Sequence, residues 1–120
     1  MPHVLLIDDN PVQLHIREAV LRDAGVEVRV ANTAARALEI LRDGTEHGEL
    51  GAVVTDHVMP ETSGSELVTE LRKVNPTVPV IVVSGLPEAE PEYEGLNVVF
   101  RQKPFPPPEL IALVRQALNA

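Results

Sequence analysis

The stretch VLLIDDNP, residues 4–11, decides how the rest of the chain is read. Val4 to Ile7 is an unbroken apolar run, too short for a membrane span but suited to a strand covered on both faces. It ends in two aspartates, which also rules it out as a signal peptide. Asn10 then offers a helix N-cap, and Pro11 has the fixed φ of a first helical position. A buried strand therefore hands over to a helix within four residues, with two acids left at the junction.

Working outward, apolar runs rich in β-branched residues recur at His3–Ile7, Glu27–Ala31, 52–55, 78–83 and 97–100. The first, third and fourth are nearly continuous, as in a parallel sheet buried on both sides. The second alternates Val26, Val28 and Val30 with Glu27 and Arg29, as an edge strand would. Helical patterns lie between the runs. Val12, Ile16, Ala19, Val20 and Ala24 fall on one face of a first helix that Gly25 ends. A second starts near Thr33 with Ala34, Ala37, Leu38 and Leu41, and gives way to a polar loop over 43–51. A third starts at Ser63, with Glu66 completing a capping box, and carries Leu67, Val68 and Leu71. A last helix follows the prolines at 106–108 with Leu110, Leu113, Val114, Ala117 and Leu118. The stretch 86–95 holds Pro87, Pro91 and four glutamates. Any helix there is short, because interior proline costs about 3 kcal/mol. Five strand–helix repeats predict an α/β doubly wound sheet with right-handed crossovers, as one domain over 1–120.

The 120 residues suffice for one core, and the hydrophobic fraction of 44% is ordinary. There are no cysteines, so disulfides and thiolate metal sites are excluded. No stretch approaches the roughly 20 apolar residues of a membrane span. The expectation is a cytoplasmic chain. A net charge of −8 argues against direct nucleic-acid binding, which needs cations against phosphates.

In doubly wound sheets ligands sit at the carboxyl ends of the strands. Strand one ends in Asp8–Asp9, strand three in Asp56, strand four in Ser84, and strand five runs out at Lys103–Pro104. Each has an ordinary reading: acids favoured near a helix N-terminus, a turn serine, a solvated lysine. Together they are harder to dismiss. Three carboxylates at one sheet edge repel each other unless a cation compensates. Mg²⁺ prefers such hard oxygen ligands, with waters and a phosphate completing its shell. A lysine and a hydroxyl nearby would contact phosphoryl oxygens. This is equipment for phosphoryl transfer to an aspartate.

The segments VLLIDDNP (4–11), VVTDHVMPETSG (53–64), VIVVSG (80–85) and VVFRQKPF (98–105) resemble, in order and spacing, a response-regulator receiver domain of two-component signalling, chemotaxis-receiver-like. The resemblance covers essentially the whole chain. It implies a flavodoxin-like sheet of order 2-1-3-4-5, here with a short or irregular fourth helix. It implies Asp56 as phosphoacceptor, with the phosphoryl group coming from a sensor histidine kinase or phosphotransfer protein. Mg²⁺, or Mn²⁺, would be held by Asp8, Asp9, Asp56 and the backbone carbonyl of Val58. Ser84 would be the switch hydroxyl, Lys103 the phosphate-contacting lysine, Lys103–Pro104 a cis peptide and Phe100 the aromatic switch. Met59–Pro60 and Gly64 match the loop after the acceptor. A downstream protein or effector domain would read the state. No enzymatic activity is expected beyond self-phosphorylation and slow self-dephosphorylation.

Three departures from the family stand out. The segment between Ser84 and Lys103 is short and rich in proline and glutamate, so the common dimer mode built on that face is not expected. Val58 and Leu86, at positions that tune phosphoryl lifetime, are apolar and cannot orient an attacking water. Phe100 stands where tyrosine is commoner and has no hydroxyl, so its switching would rest on packing. His3, His15, His47 and His57 show no ligand spacing, and His57 is read as a surface residue beside the site.

Rival readings are weaker. A flavodoxin-like cofactor binder would want a hydroxyl-rich loop after strand one and aromatics against a flavin; the chain has two Phe, one Tyr and no Trp. A phosphohydrolase with its nucleophile on strand one would want an acid–base Asp where Asn10 stands. A receiver-like docking module that no longer uses phosphorylation would not need the full residue set.

Overall fold

The computed structural model describes residues 2–43 and 50–119. The element order is β1 (His3–Ile7), α1 (Pro11–Asp23), β2 (Glu27–Ala31), α2 (Ala34–Arg42), β3 (Leu50–Asp56), α3 (Gly64–Val74), β4 (Val80–Ser84), a 3-10 helix (Pro87–Tyr93), β5 (Val99–Gln102) and α4 (Pro107–Leu118). The five strands form one parallel sheet in the order β2-β1-β3-β4-β5. Strand order reverses between β1 and β3, so the crevice for a ligand opens beyond their carboxyl ends.

Period-two alternation divides each central strand between two cores. Leu5, Ile7, Val53, Val80 and Val82 face α2 and α3. Val4, Leu6, Ala52, Val54, Ile81 and Val83 face α1 and α4. That is why the runs read as continuously apolar: neighbouring residues serve opposite layers.

The capping signals act as the sequence leads one to expect. Asn10 accepts from the backbone N–H groups of Val12 and Gln13, Thr33 from that of Arg36, and Ser63 and Glu66 form both halves of a capping box. The segment 87–93 is a 3-10 helix with Pro91 inside it. At the far end of α3, Arg72 donates to the carbonyls of Val78, Leu96 and Asn97, which ties the helix to the loops flanking β4 and β5.

Several boundaries differ. β3 starts at Leu50, so the expected 43–51 loop gives up its last two residues to the strand; its residues 44–49, with His47, lie outside the described residues. A Cβ at Gly51 would collide with Leu118, which lets α4 close against that strand. β4 runs Val80–Ser84 instead of 78–83. β5 runs Val99–Gln102 instead of 97–100, because Asn97 takes a left-handed φ of 57° that no strand accepts. At the edge strand β2 the alternation breaks late: Val30 is exposed and Ala31 buried.

The face assigned to α1 is wrong. Val12 and Ile16 are 67% and 53% exposed, and the buried residues are Leu14 and Leu21. The helix is turned so that Arg17, between those leucines on the same face, points toward the end of β1.

Candidate functional site

β3 carries Asp56 to the carboxyl edge of the sheet, where it is buried. Its Oδ1 accepts from the backbone N–H of His57 at 2.8 Å, and its Oδ2 accepts from Lys103 Nζ at 2.7 Å. Lys103 follows β5 and is fixed at both ends. Its backbone N–H donates to the Ser84 carbonyl at 2.8 Å, its Nζ also donates to Gln13 Oε1 at 3.1 Å, and the Lys103–Pro104 peptide is cis. A short charge-assisted hydrogen bond between a buried carboxylate and an ammonium is strong and directional.

Asp8 leaves β1 with its backbone N–H on the Ala31 carbonyl. The side chain has no exposure; Oδ1 accepts from the Asn10 N–H at 3.0 Å and Oδ2 from Arg17 Nη1 at 3.1 Å. Burial pushes its carboxyl above the usual range, and the nearby charge of Asp56 adds to that push. The Asn10 N–H, Arg17 and Lys103 work the other way. Asp9 is partly exposed at the mouth. The charge of Asp56 thus stands close enough to disfavour that of Asp8, which Arg17 and Lys103 partly offset.

These residues fit a hard divalent cation of the Mg²⁺ type, which is held by one or two carboxylates with waters instead of a closed protein cage. Among the described residues no ready-made cluster of three ligating side chains exists. The site is an open one, with two of its carboxylates engaged by cationic side chains.

Ser84 ends β4 and is buried, but its hydroxyl is used locally: it accepts from the Leu86 N–H at 2.9 Å and donates to the Leu86 carbonyl at 3.4 Å. Val58 and Leu86, two residues after Asp56 and after Ser84, are exposed apolar side chains. Phe100 is half-buried on β5.

His57 corrects the sequence reading. It is 7% exposed, not a surface residue. Its Nδ1 shares a 2.6 Å hydrogen bond with the hydroxyl of Tyr93, and the two rings meet edge to face at 5.6 Å. Tyr93 comes from the end of the 3-10 helix and also packs against Phe100, ring centroids 5.8 Å apart. Burial, with the charges of Glu92 and Asp56 adding, pushes the Tyr93 hydroxyl well above its ordinary range, so it stays protonated. A Cβ at Gly64 would collide with that hydroxyl, so the glycine makes room for it. Gln13, Arg17 and Tyr93 escaped the sequence reading. The available signals were faint: an arginine spaced three and four residues from two leucines, and a single tyrosine among glutamates.

A carboxylate, an ammonium and further acids gathered at one crevice can take part in phosphoryl transfer to the carboxylate. The comparisons agree in kind. The model of the response regulator receiver domain matches residues 4–115. The transcriptional regulatory protein PrrA of Mycobacterium tuberculosis is 37% identical over 121 residues, spanning 98% of this chain and 50% of that protein. The sensor kinase CckA of Brucella abortus is 35% identical over 97% of this chain but only 12% of its own length. The chain thus spans half or less of these two relatives. A response regulator receiver domain protein from Clostridium thermocellum superposes with a TM-score of 0.88 at 25% identity, covering 99% of this chain and 95% of that one. With the sheet order β2-β1-β3-β4-β5 and the acids at the ends of β1 and β3, the match over residues 4–115 makes this chain a member of the response regulator receiver domain family of two-component systems.

Proposed function

We propose that Asp56 accepts a phosphoryl group from a phosphohistidine of a sensor kinase or phosphotransfer protein, in a reaction that needs a divalent cation. The observation that carries this reading is the 2.7 Å contact between Lys103 Nζ and a buried Asp56 oxygen, beside a second buried carboxylate, Asp8. A carboxylate oxygen of Asp56 attacks phosphorus as the P–N bond to the donor breaks, and the donor ring, protonated on its other nitrogen, takes the electron pair and leaves as a neutral imidazole. Lys103 then moves its hydrogen bond from the carboxylate to a phosphoryl oxygen, with Gln13 keeping the ammonium in place. The His57 N–H goes on holding Asp56 in its rotamer. Ser84 would exchange its bond within the turn at Leu86 for one to the phosphoryl group. Asp8, Asp9, Asp56 and the Val58 carbonyl would hold Mg²⁺ or Mn²⁺, which would supply charge neutralisation for phosphoryl transfer.

The reading assigns no turnover of external substrates beyond self-phosphorylation and self-dephosphorylation. The downstream partner is a protein surface or effector domain, since a charge of −8 disfavours nucleic acid. Incubation with Mg²⁺ and a small phosphodonor, followed by intact mass, tests it. One acid-labile phosphoryl adduct is expected on the wild type and none after removal of divalent cations. An adduct that forms equally in chelator would overturn the metal-dependent reading, and no adduct at all would overturn the function.

A further inference from the structure

Arg17 occupies a position where helix periodicity calls for an apolar residue. It lies three residues after Leu14 and four before Leu21, the buried residues of α1. Its side chain is 12% exposed, and its Nη1 donates to Asp8 Oδ2. A guanidinium in such a place persists only with a partner, and Asp8 is that partner. Lys103 is already engaged by Asp56 and Gln13. Each buried carboxylate of the crevice therefore has its own cation: Lys103 on Asp56, and Arg17 on Asp8.

Resting on the metal reading above, we propose that Arg17 is the resident counter-ion of Asp8 and sets how tightly the crevice takes up a divalent cation. Without metal, Arg17 offsets the charge of a carboxylate that has no exposure. When a divalent cation enters, it meets a fixed positive charge and an Asp8 oxygen already accepting a hydrogen bond, so binding is weakened. The guanidinium has room to yield. It lines, with Lys103 and Ile16, a groove of about 530 Å³ beside Phe105 and Leu110. Arg17 acts through Asp8 and does not touch the transferred group, so it is a positioning residue.

The test is calorimetric titration of Mg²⁺, without phosphodonor, into wild type, Arg17→Met and Arg17→Lys, with melting temperatures in chelator and in Mg²⁺. Loss of a unit charge at this range predicts about tenfold tighter Mg²⁺ binding by Arg17→Met, and a larger rise in Tm on adding Mg²⁺ than the wild type shows. Arg17→Lys keeps the charge and should stay within about twofold of the wild type. Arg17→Met binding Mg²⁺ no tighter than the wild type would overturn the proposal, as would a lysine variant as tight as the methionine one. Should Arg17→Met fail to fold even with Mg²⁺, Arg17→Gln carries the same affinity prediction and decides it. Wild-type protein that takes up no divalent cation would overturn this proposal and the metal reading together, whereas intact wild-type binding that ignores Arg17 would overturn this proposal alone.

Discussion

At the residue scale, the side chain after the acceptor is as informative as the acceptor. His57 joins the end of β3 to the 3-10 helix through Tyr93, which in turn touches Phe100. Phe100 lacks a hydroxyl, and Tyr93 brings one into the same interior from a different element. Tyr93→Phe removes one partner of a buried hydrogen bond and should lower unfolding stability by about 1–3 kcal/mol. Urea denaturation checks this; an unchanged midpoint would mean that the hydroxyl is not holding His57. Val58, 58% exposed beside Asp56, offers no group to orient water. Val58→Asn should speed loss of the phosphoryl group about tenfold, less than the roughly 10²–10⁴-fold of a full general acid–base group because an amide only orients the water. The decay of the phosphorylated mass with time measures it, and an equal lifetime would refute the role. The places of Asp8, Asp56, Ser84 and Lys103 at the carboxyl ends of four strands were legible, because each closes or follows a strand that the apolar runs mark. The burial of His57 was not, since a polar residue after a strand reads as loop until a partner 36 positions away covers it.

At the element scale, the start of α3 fixes the loop that follows Asp56. The capping box holds Ser63 and Glu66, and the Gly64 N–H donates to the His57 carbonyl at 2.7 Å. A Cβ at Gly64 would press on the Asp56 carbonyl at 2.7 Å and on His57 Cα at 2.9 Å, besides meeting Tyr93. Backbone atoms cannot yield as a flexible side chain can, so Gly64→Ala should cost about 1–3 kcal/mol. A Cβ at Gly85 meets nothing within 4 Å, and Gly85→Ala should stay within about 0.5 kcal/mol. Thermal unfolding of the pair tests the contrast; equal stabilities would contradict it. Caps were readable because they depend on residues within one turn. The buried face of α1 was not. Val12, Ile16 and Val20 make the more apolar stripe, yet the helix rotates to deliver Arg17 to Asp8, and that pairing is set by another strand.

At the scale of the whole molecule, the parallel order 2-1-3-4-5 brings residues far apart in sequence to one edge. Lys103 and Asp56 stand 47 positions apart, and Lys103 and Gln13 stand 90 apart. The topology was legible because five strand–helix repeats admit few sheet arrangements. The strand limits were less so, because the Asn97 carbonyl is held by Arg72 of α3 and Leu50 pairs with His3 of β1, both remote in sequence. The segment between β4 and β5 folds as a short 3-10 helix, and Glu88, Glu90 and Glu94 set like charges on the face it shares with Val98 and Phe100. Two copies meeting there would repel, so light scattering should show no dimer through this face after phosphorylation; a dimer abolished by substitutions in 88–94 would contradict that. The most direct measurement concerns Asp56 itself. Protein treated with a small phosphodonor and Mg²⁺, then reduced with borohydride, should yield homoserine at residue 56 alone, because hydride cleaves an acyl phosphate to the alcohol. Homoserine at another aspartate, or none anywhere, would contradict the assignment of Asp56 as the phosphoacceptor.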